Sequence, residues 1–121
     1  LRKAAAITAI VCFTGMTPSL AKGSTGGEAQ NHDYYTVARK AVCYYFGAYC
    51  EQAMQIVRCE TGGTYWPWVS NGQYHGIFQM GSNERAKYGD GSSVWAQAKA
   101  AYAYFRDAGW HPWLDFQPAG C

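Results

Sequence analysis

Of the eight carboxylates in the chain, Glu60 has the sequence surroundings best suited to acid chemistry. Glu51 to Thr61 reads as a helix in which Ala53, Ile56, Val57 and Glu60 follow one another at steps of three and four, with Gly62-Gly63 ending it. Glu60 therefore falls on the apolar face, in the last turn. There a carboxylate meets two effects that disfavour its ionised form, desolvation and the negative end of the helix dipole, so its pKa is expected to rise. A carboxylic acid still protonated near neutral pH can hand its proton to a leaving oxygen, the central need of glycoside cleavage. Helical spacing alone leaves the alternative of a solvated Glu at a frayed helix end.

Other residue types offer less. Asp90 and Asp115 stand in no recognisable second catalytic motif, and His32, His75 and His111 are scattered, His75 reading as a surface residue. Without a Cys-x2-Cys pair the zinc ligand pattern is missing, which favours disulfides over a zinc site for the cysteines.

The elements that must position Glu60 follow from periodicity and breakers. Asp33 predicts the N-cap of a first helix carrying Val37, Ala38, Ala41, Tyr44 and Tyr45 at helical spacing until Gly47. After the Glu60 helix, residues 64 to 80 change character. Tyr65-Trp66-Pro67-Trp68-Val69, the turn pair Asn71-Gly72 and Tyr74 to Met80 predict a short hairpin lobe. Trp66 and Trp68 suit either core packing or contact with sugar faces. Ser82 is expected to cap a short helix ending before Gly89. Ser92 or Ser93 is expected to start a longer one ending at Gly109, with Ala98, Ala101, Tyr102 and Phe105 as its apolar stripe. The fold class is α+β, mainly helical.

The first 21 residues read as a signal peptide: Arg2 and Lys3, the apolar run Ala4 to Phe13, then Ser19-Leu20-Ala21 as a cleavage site. The apolar run is far shorter than the roughly 20 residues that span a bilayer. Residues 22–32 are polar and Gly-rich, as in a flexible linker, which leaves 33–121 as the folded domain. The protein is thus expected outside the cell or at its wall, free of the membrane after cleavage, and as a monomer. So small a domain needs support beyond its core. Cys12 leaves with the signal, and Cys43, Cys50, Cys59 and Cys121 form an even set suited to two disulfides. Cys50 and Cys59 flank one predicted helix, about 13 Å apart, which excludes the pairing that joins them. Of the two pairings left, Cys43 with Cys50 and Cys59 with Cys121 is preferred, since the first clips a short turn and the second closes a long loop. Removing Arg2 and Lys3 leaves eight basic against eight acidic residues, with no stripe that would attract nucleic acid.

Three strings carry a family resemblance: Arg58-Cys59-Glu60-Thr61-Gly62-Gly63, then Asn71-Gly72-Gln73-Tyr74-His75-Gly76-Ile77-Phe78-Gln79-Met80, then Gln97-x-x-Ala100-Ala101-x-x-Tyr104-Phe105. They resemble, in order and spacing, the Glu-Ser-Gly, Gly-Leu-Met-Gln and Asn-x-x-Ala-Gly-x-x-Tyr-Leu signatures of the lysozyme-like superfamily, above all short secreted actinobacterial proteins of the soluble lytic transglycosylase and resuscitation-promoting-factor kind. The resemblance covers roughly residues 36 to 113. It implies a lysozyme-like fold with a hairpin lobe beside a glycan-binding groove, and cleavage of the β-1,4 bond between N-acetylmuramic acid and N-acetylglucosamine in peptidoglycan strands, by lytic transglycosylation or by hydrolysis, with no metal or organic cofactor. Glu60 would be the general acid and then the base, with Gln79 and Tyr104 lining the cleft. Tyr74 and Asn71 are further substrate-binding candidates, Tyr74 flanking a sugar subsite and Asn71 otherwise serving the turn with Gly72. Thr61 stands where Ser is usual, keeping a hydroxyl for a helix-end hydrogen bond. A secreted module that binds peptidoglycan or signals without cutting it is the alternative.

Overall fold

The computed structural model describes residues 25–114, with side chains over 33–113. The expected signal segment 1–21 lies outside the described residues, as do Asp115 and Cys121. Five helices and one small sheet are seen: α1 (Thr25–Phe46), a 3-10 turn (Gly47–Tyr49), α2 (Cys50–Glu60), β1 (Ser70–Asn71), β2 (Tyr74–His75), α3 (Ser82–Tyr88), α4 (Val94–Ala108) and α5 (His111–Leu114). The chain is therefore mainly helical with a minor β component.

α1 starts at Thr25, eight residues before the expected cap at Asp33, so the backbone over 25–32 is helical where a linker was expected. Once a helix is nucleated, each further turn adds a hydrogen bond per residue fixed, and Glu28-Ala29-Gln30 are good helix formers despite Gly26-Gly27. The inner face of α1 carries Ala38, Ala41, Val42 and Phe46, all buried, against Ala53, Met54, Ile56 and Val57 of α2 and Ala98 and Ala101 of α4. Alanines at these positions leave little bulk between the helices. Aromatic rings close the bottom of the core: Phe46 stacks on Phe78 at 5.5 Å and on Trp110 at 5.8 Å. Trp113, fully buried, donates its indole N–H to the Phe78 carbonyl at 3.0 Å. Burying a side chain of this size contributes about 1.5–3 kcal/mol, so these rings fasten the lobe to the helices.

Beyond the start of α1, helix ends are set by the residues that sequence analysis singled out, with one exception. The Ser93 hydroxyl accepts from the Ala96 N–H at 3.1 Å to cap α4, and the Gly109 N–H closes its other end on the Phe105 carbonyl at 2.7 Å. The exception is α3. Gly81 occupies its cap, and Ser82 instead gives both its N–H and its hydroxyl to the side-chain oxygen of Gln73, each at 3.1 Å. The amide oxygen of Gln73 does from a distance what a local cap does from the adjoining residue.

β1 and β2 pair antiparallel with Ser70 opposite His75 and Asn71 opposite Tyr74. The two-residue turn is thus Gly72-Gln73, one position later than the expected Asn71-Gly72, because the register makes Asn71 a strand residue. Gly72 takes the positive φ (65°) that the first turn position requires. His75 and Met80 then exchange backbone hydrogen bonds of 3.1 and 3.2 Å, folding the 76–79 segment back over the core.

A disulfide joins Cys43 of α1 to Cys50 of α2, with Cα atoms 4.7 Å apart across the 3-10 turn. This is the first of the two expected bridges. Cys59, buried in α2, is also disulfide-bonded. The expectation for Cys121 lies outside the described residues.

Candidate active site

Glu60 is the last residue of α2 and is 4 % exposed. A closed helix end holds it there. The Gly63 N–H returns to the Arg58 carbonyl at 2.8 Å and the Gly62 N–H to the Cys59 carbonyl at 3.4 Å, with φ of 84° and 63° at the two glycines. This is the six-to-one and five-to-two pattern of a Schellman motif, in which only residues tolerant of positive φ serve well. The Thr61 hydroxyl completes the turn, donating to the Val57 carbonyl at 2.8 Å and accepting from the Tyr65 N–H at 2.9 Å. It is the helix-end role expected of Thr61. Glu60 is therefore buried at the C-terminal end of a helix, on a backbone fixed from both sides. Tyr65, next along the loop, is half-buried with its ring edge-on to Tyr35 at 4.9 Å. Burial raises its phenol above the ordinary tyrosine range, partly offset by the Arg58 charge.

The other candidates divide between lobe and helices. Gln79 is 1 % exposed and sits at φ 48°, its amide nitrogen donating to the carbonyls of Val69 and Gly76, both at 3.0 Å. Here it braces the segment that follows the hairpin, with its Oε1 buried and outside any hydrogen bond. Asn71 and Tyr74 face each other across the hairpin, Asn71 half-buried and Tyr74 6 % exposed. Tyr104, on α4, stacks on Tyr88 at 5.0 Å and meets Trp113 edge-on at 5.2 Å. Asn71 and Tyr74 thus share the hairpin, Gln79 holds that lobe together, and Tyr104 packs beside the ring that anchors it.

A cavity of about 300 Å³ opens on the lobe, between the hairpin and the α3–α4 connection. None of Glu60, Asn71, Tyr74, Gln79 and Tyr104 lines it. Its walls are Trp68, Ser70 and His75 from the lobe, Arg85 and Asp90 from α3 and the loop after it, and Gln97 from α4. Sequence reading passed over two of these as working residues. Gln97, 8 % exposed, accepts from the Ile77 N–H at 2.9 Å and donates to the carbonyls of Pro67 at 3.0 Å and Gly91 at 3.4 Å. Arg85 donates through one nitrogen to the carbonyls of Gln73 (2.5 Å) and Met80 (2.7 Å), while its Nε lies 3.2 Å from Asp90 Oδ1. Asp90 is thereby tied to α3. The only available signal for Gln97 was its place in the third string; for Arg85 there was none, since its partners are backbone carbonyls brought close by folding.

Among the described residues, no group of three or more His, Cys, Asp or Glu is arranged to hold a metal ion, and no helix is long and apolar enough to cross a membrane. Comparison with protein-family models, with curated proteins and with solved structures finds no match to this chain.

Proposed function

We propose that this chain is a secreted lysozyme-like enzyme that cleaves the β-1,4 bond between N-acetylmuramic acid and N-acetylglucosamine in peptidoglycan, with Glu60 as general acid. The observation that carries the reading is a carboxyl side chain 4 % exposed in the last turn of a helix, on a backbone locked by Gly62 and Gly63 at the junction of helical body and hairpin lobe. A carboxyl that keeps its proton can hand it to the glycosidic oxygen, and that is the step Glu60 would perform. The likeness of the three strings to lytic transglycosylase signatures supports the same reading. After departure of the leaving sugar, Glu60 would act as base, towards either water or the C6 hydroxyl of muramic acid. The first outcome is hydrolysis and the second gives a 1,6-anhydro sugar.

The test is digestion of labelled cell wall by the parent chain and by Glu60→Gln, which keeps the shape of the side chain and removes its transferable proton. Loss of a general acid costs on the order of 10²- to 10⁴-fold in rate. Near-parental turnover by the variant would overturn the assignment. Mass spectrometry of the released fragments distinguishes the products, because the anhydro sugar lacks one water. A second reading, a module that binds wall glycan without cutting it, draws support from the same 4 % exposure, since an acid must be reached by its substrate. Release of no fragments by a parent chain that still binds wall would establish that reading instead.

A further inference from the structure

The packing of α1 against α4 leaves an aromatic face open to solvent. Tyr44 is 71 % exposed, Val37 45 % and Trp95 40 %. In α1, Val37, Lys40 and Tyr44 follow at steps of three and four, and in α4 so do Trp95, Lys99, Tyr102 and Arg106, so each set forms one stripe along its helix. The stripes meet where Trp95 lies edge-on to Tyr44 at 5.6 Å and to Tyr45 at 6.3 Å. At about 3.6 residues per turn, the α4 stripe stands roughly half a turn round the helix from Gln97 and Ala100, the two α4 residues on the cavity wall. Gln97 is also the residue that ties α4 to the lobe, so this face lies on the other side of α4 from the hairpin.

The charge it carries is of one sign. Lys40, Lys99 and Arg106 are exposed, and among the described residues neither lysine enters an ion pair. Arg106 lies over the Tyr102 ring at 5.9 Å. The acids near these stripes are engaged or distant: Glu51 is held by Arg39 on a different side of α1, Asp107 accepts from the Tyr88 phenol at 2.7 Å, and Asp33 is about 16 Å along α1 from Tyr44. Ring geometry narrows what such a face can receive. Tyr44, Tyr45 and Trp95 are set edge to face, with interplanar angles from 62° to 86°, so they offer no continuous platform for successive sugar rings. None of them lines the cavity of the lobe. Outward-facing tyrosine and tryptophan flanked by cations suit a broad anionic interface, because such rings settle where an apolar layer meets water.

We infer that this face is a peripheral docking surface for an anionic phospholipid bilayer, with Tyr44 and Trp95 entering the headgroup layer and Lys40, Lys99 and Arg106 pairing with lipid phosphates. Each such cation strengthens adsorption roughly fivefold, and three together about a hundredfold. The contact needs no spanning segment, so it is open to a chain released by signal cleavage. It leaves the hairpin lobe turned away from the bilayer, since lobe and face lie on opposite sides of α4.

The experiment is co-sedimentation of the full chain with phosphatidylcholine vesicles, with and without phosphatidylglycerol. Binding should be about a hundredfold tighter to the anionic vesicles and should fall steeply as salt rises. Lys40→Gln with Lys99→Gln should weaken it roughly twentyfold, and Tyr44→Ser several-fold. Lys87→Gln, which removes a cation of α3 outside the face, should leave it unchanged. All four side chains are exposed, so the fold should persist, which unchanged circular dichroism and melting would verify. Equal binding to neutral vesicles, no binding to anionic ones, or an equal loss with Lys87→Gln would each overturn the inference. So would soluble polyphosphate bound as tightly as the vesicles, which would make the partner a dissolved polyanion. A dimer in analytical ultracentrifugation that Tyr44→Ser abolishes would overturn it too, in favour of a second copy of the chain.

Discussion

Replacing Gln97, a buried polar side chain, with Ala should destabilise the domain strongly. The side chain holds three backbone groups from three segments: the Ile77 N–H, the Pro67 carbonyl and the Gly91 carbonyl. Ile77 is fully buried, so its N–H would lose its partner with no water to replace it, a loss of about 1–3 kcal/mol. The Pro67 and Gly91 residues are half-buried, and their carbonyls regain water at a net loss of roughly 0.5–1 kcal/mol each. The total, about 2–5 kcal/mol, is a large share of the roughly 5–15 kcal/mol that holds a small domain folded. Urea denaturation followed by circular dichroism should show a lower midpoint with little change in slope, and thermal melting should fall by about 4–8 °C per kcal/mol lost. Gln97→Glu should fare no better, because a carboxylate would face the Pro67 and Gly91 carbonyls that now accept from an amide. A Gln97→Ala midpoint within about 0.5 kcal/mol of the parent would refute the idea that this one amide holds the lobe to α4.

Removing the clip between α1 and α2 as Cys43→Ser with Cys50→Ser should destabilise by roughly 2–3 kcal/mol, the loop-closure value for a bridge spanning seven positions, read as the shift in a denaturation midpoint. Trp113→Phe keeps a ring in the core but leaves the Phe78 carbonyl without its indole donor, and should lose about 1–3 kcal/mol, whereas Trp113→Ala should lose about 3–5 kcal/mol; comparing the two melts separates hydrogen bond from volume. Arg39 holds the Glu51 carboxyl below its usual range through a hydrogen-bonded ion pair between α1 and α2. A depressed carboxyl stabilises the fold above its unfolded pKa and loses that contribution as pH falls through the folded one. Acid titration of Glu51→Gln against the parent should therefore converge at low pH, and any difference at neutral pH should be small and vanish in high salt, because the pair is open to solvent.

Local signals in the sequence settle most of the elements here. The three-and-four spacing of Ala53, Ile56, Val57 and Glu60, with Gly62-Gly63 behind it, determines both the helix and the burial of its carboxyl, since a 3.6-residue repeat puts those positions on one face and only glycines close that end comfortably. Ser93 and Gly109 likewise announce the ends of α4, because capping is a contact between residues near in sequence. The hairpin was legible to within one residue; its register depends on pairing between strands, which turned Asn71 from turn into strand. The start of α1 was missed because helix extension is cooperative and overrides a good local cap. What only the tertiary structure decided is which polar side chains serve the backbone and which are left to face a ligand. Gln79 reads in the sequence as a residue lining a cleft, yet its amide nitrogen serves the Val69 and Gly76 carbonyls, and the Gln97 amide is spent on the Ile77 N–H and the Pro67 and Gly91 carbonyls, partners that only folding brings within reach. The cavity of Trp68, His75, Arg85 and Asp90 has no local signature at all, because its walls come from three segments that meet only when the lobe closes on α4.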